Sequence, residues 1–246
     1  MADLESPTDE LSDADRLQRR ANLVARGGAR AAVLGANDGL ISNLSLILGV
    51  AGADASQGSV RLAGFASLVA GALSMAAGEW VSVRAQVDLY GGVLAELRSL
   101  VVHSPALVLD RLSSKLEDIG LDTDTAKRAA TEIPLDEDSF FAFTARTVFG
   151  INSDELGSPV TAALSSLLLF AAGALVPLMP WFFTRGLAGA VWSLALTAIG
   201  SLFVGAYVSR SAGMPQWKGA LRQFLIVVAA AGVTYGIGKF AGTAIG

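Results

Sequence analysis

Cysteine is absent from the 246 residues, and histidine occurs once, as His103. The first absence removes disulfides, thiolate-bound zinc and iron–sulfur clusters. Carboxylate, carbonyl, hydroxyl and thioether groups remain as ligands, with one imidazole. That set suits Mg, Ca, Mn or Fe(II) better than zinc or copper. Charge is also scarce: 16% of residues are charged and 52% hydrophobic, where soluble domains carry about a quarter charged residues. Nearly all of it is bunched into residues 1–30 and 84–155. A net charge of −4 gives no reason to expect a nucleic-acid partner. No nucleophile–base pair or cofactor motif is present, so an enzyme is not expected.

What is present is a set of long apolar runs. A helix needs about 20 apolar residues to cross the hydrocarbon core, and five stretches qualify: about 31–53, 60–83, 160–183, 187–208 and 219–241. The expected class is an all-α, polytopic membrane protein with five transmembrane helices and a small helical insert between the second and third. The expected divisions are a cytoplasmic tail (1–30), helices 1 and 2 (31–85), a cytoplasmic helical domain (86–158) and helices 3 to 5 (159–246). Residues 1–28 are polar and hold no signal-peptide core. Arg16, Arg19, Arg20, Arg26 and Arg30 precede the first run, which places the N-terminus in the cytoplasm. The link DASQGS fits the outer side. SRSAGMPQWK, with Arg210 and Lys218, fits the inner side, and five spans put the C-terminus outside.

Small residues recur in two of the runs. Gly64, Ser67, Gly71, Ser74, Gly78 and Ser82 share one face of the second, and the fifth holds Gly232/Gly236 and Gly238/Gly242 as GxxxG pairs. Both patterns fit packing within the chain or a dimer seam. In the insert, VDLYGGVLAELRSLVV continues the second helix until Pro105 breaks it. ALVLDRLSSKLEDIG is amphipathic, with a stripe of Leu107, Leu109, Leu112, Leu116 and Ile119 and Gly120 just past its end. TDTAKRAATEI is a further helix, stopped near Pro134. DEDSFFAFTARTVFGI is the last, with acids at its N-terminus.

The first two spans each carry one acid, Asp38 and Glu79. A carboxylate at the centre of a spanning helix costs roughly 2.5–3.5 kcal/mol on insertion scales, so such residues mark ion or proton paths. Gly35, Asp38, Ser42, Ser45 and Gly49 fall on one narrow polar face, with Asn37 beside it. Met75 and Glu79, four apart, share a face of the second span. Two carboxylates and a thioether make a mixed site whose sulfur favours Fe(II), Mn(II) or Co(II) over Mg or Ca. Paired carboxylates in low dielectric also raise at least one pKa, giving a group that exchanges a proton for metal. Bland readings stand beside these: Met75 as packing, Glu79 as an acid reaching headgroup water, His103 as a surface or cap residue, Arg84 as an interface anchor.

The runs GANDGLISNLSLILGVAGA and GFASLVAGALSMAAGEWVSVRAQVD, then FGINSDELGSPVTAALSSLLLFAAGALVPLMP, resemble the vacuolar iron transporter and nodulin-21-like family, bacterial members included. The resemblance covers most of the chain from about residue 30 onward. It implies a homodimer with the ion path at the dimer interface, proton-coupled export of Fe2+ or Mn2+ from the cytosol, and a second helix continuing into a cytoplasmic metal-binding domain. By position, Asp38 matches the family's first-helix aspartate, Met75 its second-helix methionine and Glu79 the GE of the bacterial pattern. The partners implied are divalent metal ions, the lipid bilayer and a second copy. The metal is cargo, and no resident cofactor is expected. A bacterial plasma membrane is the expected location. Two departures bear on this. Ser67 stands where some members have a glutamate, and the insert keeps only Asp88 and Glu96 where relatives carry closely spaced acids. Glu117, Asp118, Glu132, Asp136, Glu137 and Asp138 match no ligand pattern and read as a solvated face. The alternative is therefore a non-transporting scaffold or metal sensor that keeps the fold with a degenerate cytoplasmic domain.

Overall fold

The computed structural model of the chain describes residues 28–132, 136–152 and 157–245. Its elements are α1 (Gly28–Gly52), α2 (Gln57–His103), α3 (Pro105–Asp118), α4 (Thr123–Glu132), α5 (Glu137–Phe149), α6 (Pro159–Leu178), a 3-10 turn (Met179–Phe182), α7 (Gly186–Ser211) and α8 (Gln216–Ile245). No strand occurs among the described residues. Five helices, α1, α2, α6 with its 3-10 turn, α7 and α8, are long and apolar enough to cross a membrane. The chain divides into two compact units, 1–81 with 159–246, and 82–158. The expected stop near Pro134 and the arginines of residues 16–26 lie outside the described residues.

In the first unit the spanning helices approach through glycine. Lipid tails are as apolar as leucine, so close van der Waals contact between backbones does what hydrophobicity does in water. A Cβ on Gly39 would meet the Phe170 carbonyl of α6, and one on Gly173 the Ala36 carbonyl of α1. Gly238 sits against Gly49 and Gly242 against Ala53, which joins α8 to α1. Gly205 and Gly219 meet where α7 crosses α8. Leu44, Ile47, Val60, Leu178, Trp181 and Val227 fill the space between these contacts.

The two small-residue patterns therefore divide. Gly238 and Gly242 are used inside the chain, whereas a Cβ on Gly232 or Gly236 would meet nothing within 4 Å among the described residues. On α2, Gly64 receives Leu178 and Ile47, and Gly71 receives the Phe170 ring, but Gly78 is open. One end of α2 has a polar anchor that hydropathy does not show. Ser56 Oγ caps its first turn, accepting from the Ser59 amide at 3.1 Å. Gln57 donates to the Trp181 and Thr184 carbonyls at 2.7 and 2.9 Å, and Arg61 to the Trp181 carbonyl at 2.8 Å. The Arg61 guanidinium also lies over the Phe182 ring. A cation here satisfies carbonyls left open where α6 ends.

The second unit holds the far part of α2 together with α3, α4 and α5. α2 runs on to His103, and Pro105 then opens α3, where its missing N–H removes nothing. Leu97, Val101, Val108 and Ala145 form one core cluster; Leu112, Leu116, Ala126 and Ala130 form another. The expected stripe on α3 is corrected at both ends. Leu107 and Ile119 are 60% and 63% exposed, and Val108 takes the inward position. The α3 register follows Val108, Leu112 and Leu116, which recur every four residues. Gly120 and Gly150 end α3 and α5 with left-handed or positive-φ backbone.

Candidate functional site

α1 presents two different polar faces, and the packing explains why. Its Gly35–Gly39 side lies against α6: a Cβ on Gly35 would approach the Ser166 carbonyl at 3.2 Å. Gly35 is thus turned into the bundle, away from the outward face on which it was expected to sit with Asp38. Asp38, Ser42, Ser45 and Gly49 remain on the outward side. Ser42 Oγ donates to Asp38 Oδ1 at 2.5 Å, and Asp38 is half-buried while Ser42 is exposed. Ser42, Ser45 and Gly49 then line an open groove of about 560 Å³, with Thr234, Ile237 and Gly238 of α8 as its other wall. The lining is mostly apolar with a hydroxyl stripe.

Asn37 does not project a free carbonyl into this face. Its Oδ1 accepts from Gln223 Nε2, a nearly buried side chain of α8. Gln223 and Asn43 are site neighbours that the sequence reading missed. Asn43 is fully buried and donates to the Ala174 carbonyl at 2.6 Å. The available signal was their type: an amide inside an apolar span, RQFLIVV for Gln223 and ISNLS for Asn43.

Met75 packs with Leu68, Leu167 and Ala171 around Ala72, Phe170 and Ala174. Glu79, one turn further along α2, is partly exposed. The contacts of α2 with α1 are at the loop end, where Gly64 meets Ile47 and Val60 joins the Leu44–Ile47 cluster. Nine residues separate Asp38 from Ile47, and eleven and fifteen separate Gly64 from Met75 and Glu79. At 1.5 Å per residue these are about 13, 16 and 22 Å. Met75 and Asp38 therefore lie within roughly one helical turn of the same depth, with Glu79 displaced toward the α2 end that enters the second unit. Their contacts nevertheless differ: Asp38 is bonded to Ser42, which lines the α1–α8 groove, and Met75 is packed on α6. Among the described residues, no three His, Asp or Glu side chains converge on a point fit for a metal ion.

The remaining candidates fall in the second unit. His103 Nδ1 donates to the Ser99 carbonyl at 2.9 Å, a bond within its own helix. Asp88 is paired with Arg84 at 3.0 Å. Asp138 is paired with Arg98, whose guanidinium also covers the Phe141 ring. Asp122 and Asp136 accept from the Thr125 and Ser139 amides at 3.1 and 2.8 Å, as N-caps of α4 and α5. These bonds hold both carboxyls below their ordinary pKa: the largest cause is the side-chain hydrogen bond with Thr125 for Asp122, and the backbone bond with Ser139 for Asp136.

Residues 29–239 match the VIT family. The chain belongs to that family. Vacuolar iron transporter homolog 1 of Oryza sativa subsp. japonica is 34% identical over 223 residues, 90% of this chain and 77% of the rice protein. The vacuolar iron transporter of Acanthamoeba castellanii is 32% identical over 222 residues, 87% of this chain and 81% of its own. Vacuolar iron transporter homolog 1 of Arabidopsis thaliana is 32% identical over 220 residues, with 87% and 83% covered. These relatives are named as transporters, not enzymes. Family membership and five apolar helices together make this chain a multi-pass integral membrane protein.

Proposed function

We propose that this VIT-family chain carries a divalent transition metal, Fe2+ or Mn2+, out of the cytosol in exchange for protons, acting as a homodimer. The relatives' names support iron as cargo. The observation that carries the site reading is Asp38, a spanning-helix carboxylate on the outward side of α1, with hydroxyls along its face. A carboxylate so placed is stable in a bilayer only if something other than lipid covers it. A second copy meeting this face brings two Asp38 carboxylates together, and with Met75 supplies the oxygen and sulfur that suit Fe2+ and Mn2+. A carboxylate takes up either a cation or a proton, which is the exchange this reading requires. Glu79, partly exposed and nearer the second unit, receives the ion from the cytosol. The second unit, 82–158, is the cytoplasmic domain of this reading, and the N-terminus lies on the same side; a bacterial plasma membrane is the host membrane.

The test is flux into liposomes loaded with a metal-sensitive and a pH-sensitive dye. Wild-type protein should move Fe2+ or Mn2+ with an opposing proton signal. Asp38→Asn should lower the rate on the order of 10–100-fold or more, since even residues one layer beyond a metal ligand cost that much. Equal flux from the two proteins removes Asp38 from the path.

One set of contacts favours the second reading, a scaffold or sensor. Asp88, Asp122, Asp136 and Asp138 are engaged in ion pairs or helix caps. Carboxylates so engaged are poor metal collectors. If wild-type protein binds neither ion and passes none across the liposome, the scaffold reading replaces the transporter.

A further inference from the structure

The inner side of α1 carries a polar feature that transport through the Asp38 face does not use. Asn43, Ser166, Thr197 and Ser201 are each fully buried, and Asn43 Oδ1 and the three hydroxyl oxygens have no hydrogen-bond partner among the described residues. Ser193, one turn before Thr197 on α7, does have one, donating to the Pro177 carbonyl at 2.6 Å. Two contacts set the register. Leu40 packs on Gly200, 3.4 Å from its Cβ position, and Gly39 lies against Phe170 and Ala174. Asn43 is three residues from Leu40, and Thr197 is three residues from Gly200 on the oppositely running α7. Each is thus displaced about 4.5 Å in the same direction, which puts the two at one depth. Ser201 falls level with Gly39, and Ser166 level with Gly35, whose Cβ position is 3.2 Å from the Ser166 carbonyl. The four groups form a seam between α1, α6 and α7 that brackets the depth of Asp38. Asn43 and Asp38 are five residues apart, about 140° around the helix, so the seam lies behind α1 as seen from Asp38.

A buried amide oxygen or hydroxyl without a partner costs roughly 1–3 kcal/mol, and native interiors fill such sites with ordered water that bonds two to four polar groups. The groups here are neutral, and among the described residues no carboxylate belongs to the seam, which argues against a cation. We infer that Asn43, Thr197 and Ser201 line an internal hydration site, with water held between α1, α6 and α7 inside each chain at the depth of Asp38. Ser166 extends it toward Gly35. Reorientable dipoles there lower the cost of charge on Asp38 across the width of one helix.

The test is radiolytic hydroxyl labelling of the full-length protein in nanodiscs in 18O-water, read by mass spectrometry at Leu40 and Leu44. Both leucines are buried, so bulk solvent does not label them. Label there in wild type is expected, and its absence overturns the site. Thr197→Val keeps the shape and removes the hydroxyl. It should abolish the label at Leu44 and lower Tm by about 2–4 °C, because Asn43 loses its bridge. A Thr197→Val protein with wild-type labelling, or with an unchanged or raised Tm, means that the Thr197 hydroxyl was not held by water and also overturns the assignment. If the variant does not fold, the wild-type labelling decides alone.

Discussion

Asp38 and Asn43 stand five residues apart on one helix and meet opposite surroundings. Asp38 accepts from Ser42 at the edge of the groove that Ser42 lines, and Asn43 donates to the Ala174 carbonyl. At this scale the sharpest question concerns Met75, whose surroundings suit packing as well as ligation. Leucine has nearly the same volume, and such exchanges usually cost under about 1.5 kcal/mol. Met75→Leu should therefore leave Tm within a few degrees while the preference for Fe2+ and Mn2+ over Mg2+ in flux competition falls. Unchanged competition would return Met75 to packing alone. The sequence picked out Asp38, Met75 and Glu79 by type and spacing. It did not separate Gly35 from Asp38, since both fit one narrow polar face until α6 claims the glycine.

At the scale of elements, glycine decides which helices touch. Gly238 faces the Gly49 carbonyl, so Gly238→Ala forces α8 off α1 and should destabilise by about 1–3 kcal/mol, the usual range for overpacking. Gly232→Ala and Gly236→Ala meet open space within the chain and should stay within about 0.5 kcal/mol. Thermal unfolding in detergent compares the three. A Gly232→Ala protein that unfolds normally yet loses its dimer would place a seam between copies there. The caps of α4 and α5 make a second element-scale prediction. Their carboxyls titrate below the ordinary 3.8 when folded. The stabilisation is therefore fully present above that value and is lost as pH falls through the lowered one. Protection of the Thr125 and Ser139 amides against hydrogen exchange should fall as pH drops below 3.8, and Asp136→Ala should show the low Ser139 protection already at neutral pH.

For the whole molecule, the proposed dimer is the consequence with the widest reach. The absence of cysteine makes the test clean, because any introduced thiol is the only one. If a second copy covers the Asp38 face, Ser42→Cys and Ser45→Cys should crosslink copy to copy in native membranes. Ser193→Cys, buried and bonded inside the chain, should not. Crosslinking by neither groove residue would leave Asp38 without the proposed cover and sink the shared metal site.

The sequence by itself determined the five spanning helices, because 20-odd apolar residues have few other stable states and lipid enforces internal hydrogen bonding. It also determined the helical insert, through Pro105, the acids before α5 and the glycines that end α3 and α5. The tertiary structure decided which side of each helix is interior. Hydropathy is nearly uniform around a spanning helix, so periodicity is silent where every face is apolar. Only packing shows that Gly238, and not Gly232, holds α8 to α1, that Val108 replaces Leu107 in the α3 stripe, and that Arg61 and Gln57 pin α2 to the end of α6. It likewise decided the company of the amides. Gln223 and Asn37 are 186 positions apart, and no local pattern joins residues so distant until α1 and α8 lie side by side.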